Sequence, residues 1–300
     1  VLIPRRIIDS LRVEPGKRLR LADRDPGWEL SKEFRVLGKE AVKERVERLL
    51  AEKLTALSTA QELLWASDRQ AVLMILQGMD AAGKDGIVKH VMSGMNPQGC
   101  EVHSFKQPTH EELDHDFLWR CAKRVPERGR IGIFNRSWYE DVLVLRVHPE
   151  RVPHGALDGV KNPDKFWEHR YESIREYERH LTRNGTTVVK FFLHISKEEQ
   201  KRRFLARLDD PDKQWKFSAG DLTERAYWDD YQRAYELALS ATSTKHAPWY
   251  VVPADHKWIA RAVVADVLAA TIQGLDLAWP RPDKEQKKLL ADAKRALENE

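Results

Sequence analysis

Five short apolar runs punctuate the middle of the chain, over residues 71–76, 102–105, 131–134, 187–193 and 250–252. Most are continuous rather than alternating, the pattern of strands covered on both faces. Between most of them apolar and polar positions recur at helical spacing. Helix starts are expected near Gly83, Thr109, Pro163 and Ser196, and Thr109 with Glu112 has the spacing of a capping box. Further helices are expected over 222–241 and 256–274. Strands separated by helices predict an α/β fold with a doubly wound, five-stranded parallel sheet.

The flanks read differently. Residues 1–30 are Arg-rich and broken by Pro4, Pro15, Gly16, Pro26 and Gly27, which predicts an extended arm. From 31 to 67, Val36, Leu37, Val42, Val46, Leu49, Leu50, Leu54 and Leu57 fall at helical spacing with no proline between them. That predicts a long amphipathic helix or a helical pair. Such a face often hides in a subunit contact, so a homo-oligomer is expected. Trp279-Pro280-Arg281-Pro282 ends the fold, and 283–300 reads as a solvated helical tail. The expected organisation is an N-terminal extension over 1–67, a main domain over 68–279 and a tail over 280–300.

Composition narrows the class without naming a function. Hydrophobic residues are 42% and charged residues 33% of the 300, enough for a real core and unlike a disordered chain. No apolar run reaches the roughly 18 residues of a membrane span, and no secretory signal opens the chain, so a cytoplasmic protein with no membrane partner is expected. The two cysteines, Cys100 and Cys121, are too few for a disulfide framework or a zinc site. A formal net charge of +4 suits any polyanion and chooses among none.

The first apolar run leads into Gly78-Met79-Asp80-Ala81-Ala82-Gly83-Lys84, which fits G-x-x-x-x-G-K between a strand and a helix. Glycines at this spacing let the backbone wrap, so that amide N–H groups of Ala81, Ala82 and Gly83 face phosphate oxygens and the helix N-terminus adds positive potential. Lys84 then neutralises the transferring phosphate. One departure stands out: Asp85 occupies the usual Ser or Thr position, and a second carboxylate, Asp80, lies inside the loop. A carboxylate there repels phosphate unless a cation intervenes, so Asp80 is expected to face Mg²⁺. Asp85 is either metal-facing or a first-turn residue stabilised by the helix dipole.

After the run 131–134 comes Asn135-Arg136-Ser137-Trp138-Tyr139-Glu140-Asp141. Strand carboxyl ends face the ligand crevice in such folds. Arg136 there can hold a phosphate bidentately, and Glu140 or Asp141 can reach a metal. Taken together with Pro211-Asp212-Lys213-Gln214-Trp215-Lys216 and the segment from Ala247 to Asp255 (Ala-Pro-Trp-Tyr-Val-Val-Pro-Ala-Asp), these motifs resemble the family-2 polyphosphate kinases over roughly 30–275. The resemblance implies a P-loop kinase fold with a mobile lid and Mg²⁺-dependent phosphoryl transfer between inorganic polyphosphate and a nucleotide. It implies essential roles for Asp80 and Lys84 and a Walker B-like element at Asn135 and Arg136. Asn135 stands where many relatives preferring nucleoside diphosphates have Asp, and Glu140 where they tend to have Asn. That pair resembles the subgroup that phosphorylates both AMP and ADP.

The order of elements places a lid around 197–217, where Lys197, Lys201, Arg202, Arg203, Arg207, Lys213 and Lys216 are interleaved with Glu198, Glu199, Asp209, Asp210 and Asp212. Many of these form i,i+4 pairs on a solvated helix. Arg203, Arg207 and Lys213 are the candidates for closing over phosphate, and Lys106, at the end of the run 102–105, also points to the crevice. A line of such cations suits a polyphosphate chain by polyelectrolyte logic. The expected reaction is reversible, Mg²⁺-dependent transfer from polyphosphate to AMP and ADP, with no nucleic-acid partner. An ATP-dependent nucleoside monophosphate kinase and a non-catalytic polyanion-binding P-loop protein are the alternatives. Aromatic residues beside basic ones, Trp119-Arg120 and Trp167 to Arg170, would serve the latter.

Overall fold

Strand β1 (Ala71–Gln77) is buried at every position, which requires neighbours on both edges and cover on both faces. It pairs in parallel with β3 (Ile131–Asn135) on one side and β4 (Thr186–His194) on the other. β2 (Cys100–Ser104) adds outside β3, and β5 (Trp249–Pro253) outside β4. The order β2-β3-β1-β4-β5 is parallel throughout, the five-stranded sheet that the apolar runs predict. In this computed structural model residues 3–152 and 162–300 are described. One strand departs from expectation: β2, unlike the other edge strand β5, is only half covered, leaving Val102 48% exposed.

The N-terminal segment is not an extended arm. It forms α1 (Arg5–Leu11), and Ile7, Ile8, Leu11, Val13, Leu19 and Leu21 are buried. Val13 N–H donates to Trp249 O at 2.9 Å, tying the segment to β5. Pro4 sits at the N-cap, where the missing N–H costs no helical bond, so the prolines do not oppose this packing. The next segment is a helical pair, α2 (Lys32–Leu37) and α3 (Lys39–Ser67), divided at Gly38 with φ 78°. The apolar face of α3 lies on α12 (Lys257–Gln273) within the same chain, with Lys53 Nζ 2.5 Å from Asp266 Oδ1 at the contact. That face of α3 is therefore used within the chain, whereas Val36 and Leu37 of α2 stay exposed.

The other helices follow the sheet. α4 (Lys84–Val91) follows β1, and α5 (His110–Leu113) carries the Thr109–Glu112 capping box. α6 (Trp119–Ala122) precedes β3, α7 (Glu140–Val147) follows it, and α8 (Pro163–Arg183) leads into β4. α9 (Lys197–Leu208) is capped by Ser196. The single helix expected over 222–241 is two, α10 (Ala219–Ala226) and α11 (Trp228–Thr242). α10 buries no residue whereas α11 buries seven, among them Trp228, Tyr231 and Tyr235, so the break at Tyr227 lets one leave the core that the other fills. α13 (Lys284–Glu298) is exposed along its length, as a solvated tail should be. Among the described residues no helix is long and apolar enough to cross a membrane.

Candidate functional site

Parallel strands place all their carboxyl ends on one edge, so the residues after β1, β2 and β3 converge there. β1 passes into the loop at Gly78, where a Cβ would lie 3.0 Å from Leu193 O and 3.1 Å from Leu193 Cβ. Only glycine lets β1 turn that close to β4. Ala81 adopts φ 63° and Gly83 φ 110° before α4 begins at Lys84. Lys84 folds back over the loop and donates to Gly78 O at 2.5 Å and Met79 O at 3.3 Å. Burial, helped by the Arg136 charge, lowers the pKa of its ammonium below the usual lysine value.

Arg136, with φ 67°, stands between two carboxylates. Its Nη2 lies 2.9 Å from Asp80 Oδ1, and its Nε lies 3.9 Å from Glu140 Oε2. Glu140 Oε1 accepts from Gln77 Nε2 at 3.1 Å. Burial raises the Glu140 carboxyl's pKa, while Arg136 and Lys84 pull it down. Asn135 Nδ2 donates to Asp85 Oδ1 at 2.9 Å. Asp85 thus lies in the first turn of α4 with an amide partner. Among the described residues no cluster of three or more His, Cys, Asp or Glu is arranged for a metal. Asp80, Glu140 and Asp141, expected around one, do not form such a group of three, although Asp80 and Glu140 both reach Arg136. Arg136 separates the first two, and Asp141 lies one step further round α7. Burial pushes the Asp141 carboxyl up to about 6, against the pull of Arg170 and Arg120.

Two clefts open here. One, of about 930 Å³, is lined by Ala81, Ala82, Gly83 and Lys84 together with Lys106, Arg207, Lys213, Lys257 and Arg261. The other, of about 680 Å³, is lined by Phe117, Leu143, Val144, Tyr231 and Tyr235 with Arg120, Arg170 and Asp141. Asp80, Lys106 and Arg136 belong to both. The structure therefore brings together most of the residues singled out by sequence, Arg207 and Lys213 included, although Lys213 is engaged with Asp210.

Arg203 also lines the loop-side cleft, but its guanidinium is turned into the protein. It is buried against the loop, with Nε on Glu199, Nη1 on Ala81 O and Ala82 O, and Nη2 on Ala254 O and Asp255 O. Every N–H of its guanidinium is committed to protein. Sequence reasoning missed Gln77, Tyr235, Lys257 and Arg261, which belong to no motif. Arg120 and Arg170 carried a signal, the neighbouring aromatics, that pointed to base stacking rather than to this cleft.

The model of the family described as Polyphosphate kinase 2 (PPK2) matches residues 40–278. The chain belongs to the polyphosphate kinase 2 family. It is 55% identical over 256 residues to the ADP-polyphosphate phosphotransferase of Rhodopseudomonas palustris, covering 85% of this chain and 89% of that one. It is 45% identical to the AMP/ADP-polyphosphate phosphotransferase of Meiothermus ruber, covering 94% and 98%. The solved polyphosphate kinase 2 of Arthrobacter aurescens TC1 superposes with a TM-score of 0.81 at 45% identity, covering 95% and 96%. In this polyphosphate kinase 2 the two clefts differ in chemistry. The loop-side cleft is cationic, and the other combines apolar walls with charged groups.

Proposed function

We propose that the protein transfers the terminal phosphoryl of inorganic polyphosphate to AMP and to ADP, reversibly. The observation that carries this reading is the meeting of a cationic and a partly apolar cleft at Asp80, Lys106 and Arg136. A donor chain in the first cleft and a nucleotide in the second put the transferring phosphoryl at that junction, with attacking and leaving oxygens on opposite sides. Lys84 and Arg136 neutralise the non-bridging oxygens, and Lys106, Arg207 and Lys213 hold the chain behind them. The acceptor is itself a phosphate oxygen, so no protein nucleophile or base is required.

The donor set suits Mg²⁺, which takes hard oxygen ligands and is commonly held by one or two carboxylates with substrate phosphates completing the shell. Asp80 and Glu140 are the residues that would hold it, releasing Arg136 to phosphate, and Asp141 is placed to orient the acceptor side. The ion supplies charge neutralisation between donor and acceptor.

Acceptor range rests on Asn135 and Glu140. Asn135 is neutral where an Asp would be charged, so it reduces repulsion at the mouth of β3, and its amide donates to Asp85, while Glu140 reaches toward Arg136 from the far side. That leaves room for acceptors with one or two phosphates, and one relative is named for AMP and ADP. Incubation with AMP, Mg²⁺ and polyphosphate, followed by chromatography, should show ADP rising and then giving way to ATP. AMP left untouched while ADP is converted overturns the dual-acceptor reading. No conversion of either overturns the reaction.

A further inference from the structure

Three consecutive carbonyls of the phosphate loop are gripped from one side by a single helix. Gln200 Nε2 donates to Asp80 O at 2.9 Å, and Arg203 Nη1 donates to Ala81 O at 2.9 Å and Ala82 O at 3.0 Å. Positions 200 and 203 are neighbours on one face of α9, and both are buried, 1% and 7% exposed. The grip is itself anchored. Arg203 Nη2 reaches Ala254 O at 2.6 Å and Asp255 O at 3.1 Å beyond β5, and its Nε reaches Glu199 Oε1 at 2.7 Å. Gln200 Oε1 accepts from Arg225 Nη1 at 2.7 Å, and the same Nη1 donates to Lys197 O at 2.8 Å, so α10 is wired to the same face.

We infer that Gln200 and Arg203 are positioning residues that set the phosphate loop through its carbonyls, rather than groups that touch phosphate; this rests on the reading above that the loop holds the donor. Within one peptide unit the C=O and the next N–H point in opposite directions. Fixing the carbonyls of Asp80 and Ala82 toward α9 therefore turns the N–H groups of Ala81 and Gly83 away from it, toward the cleft. The amide of Ala82 is used internally, donating to Met79 O at 3.1 Å. Ala81 holds φ 63° without being glycine, a conformation that persists only where surroundings over-determine it. The two Arg203 bonds that bracket Ala81 and Ala82 supply that constraint. A fork is required for this: Lys has one point charge and cannot span carbonyls on the loop and carbonyls beyond β5 at once.

Charge separates the two roles. A cation lost from contact with phosphate lowers the slope of log affinity against log salt by nearly one, whereas a misplaced loop weakens binding equally at every salt concentration. Binding of a defined-length inorganic polyphosphate is measured by calorimetry across a salt series for wild type, Gln200→Leu, Arg203→Gln, Arg203→Lys and Lys84→Ala. Gln200→Leu and Arg203→Gln are expected to weaken binding about tenfold with the wild-type slope kept, and Arg203→Lys not to rescue. Gln200→Leu carries no charge change and conserves volume, so it keeps the test sound if an Arg203 variant folds poorly; circular dichroism and retained nucleotide binding check each fold. Near-wild-type binding by Arg203→Lys, a slope lowered by about one in Arg203→Gln, or no effect of Gln200→Leu overturns the assignment. If Lys84→Ala also leaves binding intact, the donor-site reading of the loop falls as well; if Lys84→Ala weakens it, only the positioning assignment falls.

Discussion

Two non-glycine residues with positive φ, Ala81 and Arg136, lie within the same few side chains as Asp80, Lys84 and Glu140. Such conformations cost on the order of 1 kcal/mol or more and are kept where function needs an aimed group. At Arg136 the turn delivers the guanidinium between Asp80 and Glu140. Burial alone would lower its pKa, but those carboxylates outweigh burial and raise it. Lys84→Ala is expected to lower turnover a hundredfold or more, about 3 kcal/mol of transition-state stabilisation. Far-UV circular dichroism should be unchanged, because the sheet and helices are held by contacts that do not involve the Lys84 side chain. Retention of a tenth of wild-type rate removes Lys84 from the mechanism. Asp80→Asn is expected to inactivate for a different reason, the loss of the carboxylate charge that pairs with Arg136 and is proposed to hold Mg²⁺. Raising magnesium should restore part of its rate, so rate against magnesium concentration is the measurement. Near-normal activity at low magnesium shows that Asp80 does not face the ion.

At the scale of elements, the turn from β3 into α7 is fastened to the core by a buried polar network. Lys190 of β4 donates from Nζ to Glu178 Oε2 at 2.5 Å, Tyr139 Oη at 2.9 Å and Thr242 O at 2.9 Å, and Tyr139 Oη donates to Glu178 Oε1 at 2.8 Å. Burial lowers the pKa of Lys190 and raises that of Glu178, while each partner opposes the shift on the other. Tyr139 precedes Glu140, so the network locks the start of the helix that carries the site carboxylates. Lys190→Met leaves Glu178 buried without its ion partner and is expected to cost about 3–5 kcal/mol. A double replacement, Lys190→Met with Glu178→Leu, should recover most of that loss. Urea unfolding of both variants measures it, and a single variant as stable as wild type denies the network any structural role.

The whole molecule shows which parts depend on one another. α3 is held by α12, α1 by β5, and α9 by the loop and by the segment after β5, so the N-terminal segment and α9 belong to one packed unit with the sheet. α13 does not share in this, since each of its residues is exposed. Removal of 283–300 is therefore expected to change stability by no more than about 0.5 kcal/mol and to leave turnover with ADP unchanged. Thermal unfolding and a rate assay on the truncated chain check this, and a marked fall in either assigns the tail a contact in solution.

What the sequence by itself determined is local. Continuous apolar runs imposed buried strands, the glycine spacing imposed the tight turn after β1, and Ser196 and Thr109 began their helices because short polar side chains cap free N–H groups. The reaction class was legible in the motifs around Gly78, Arg136 and Lys213. Tertiary structure decided the partners. Arg202, Arg203 and Arg207 look alike along the chain, yet Arg203 alone points under the loop, because only packing reveals which turn of α9 faces β5. Lys190 hid inside an apolar run, and its burial is tolerable only because Glu178, on a different element, meets it. The proline-broken N-terminus packs because α1 finds β5, more than two hundred residues away. Backbone conformation answers to near neighbours, whereas the role of a charged side chain is set by whichever distant group desolvates or pairs it.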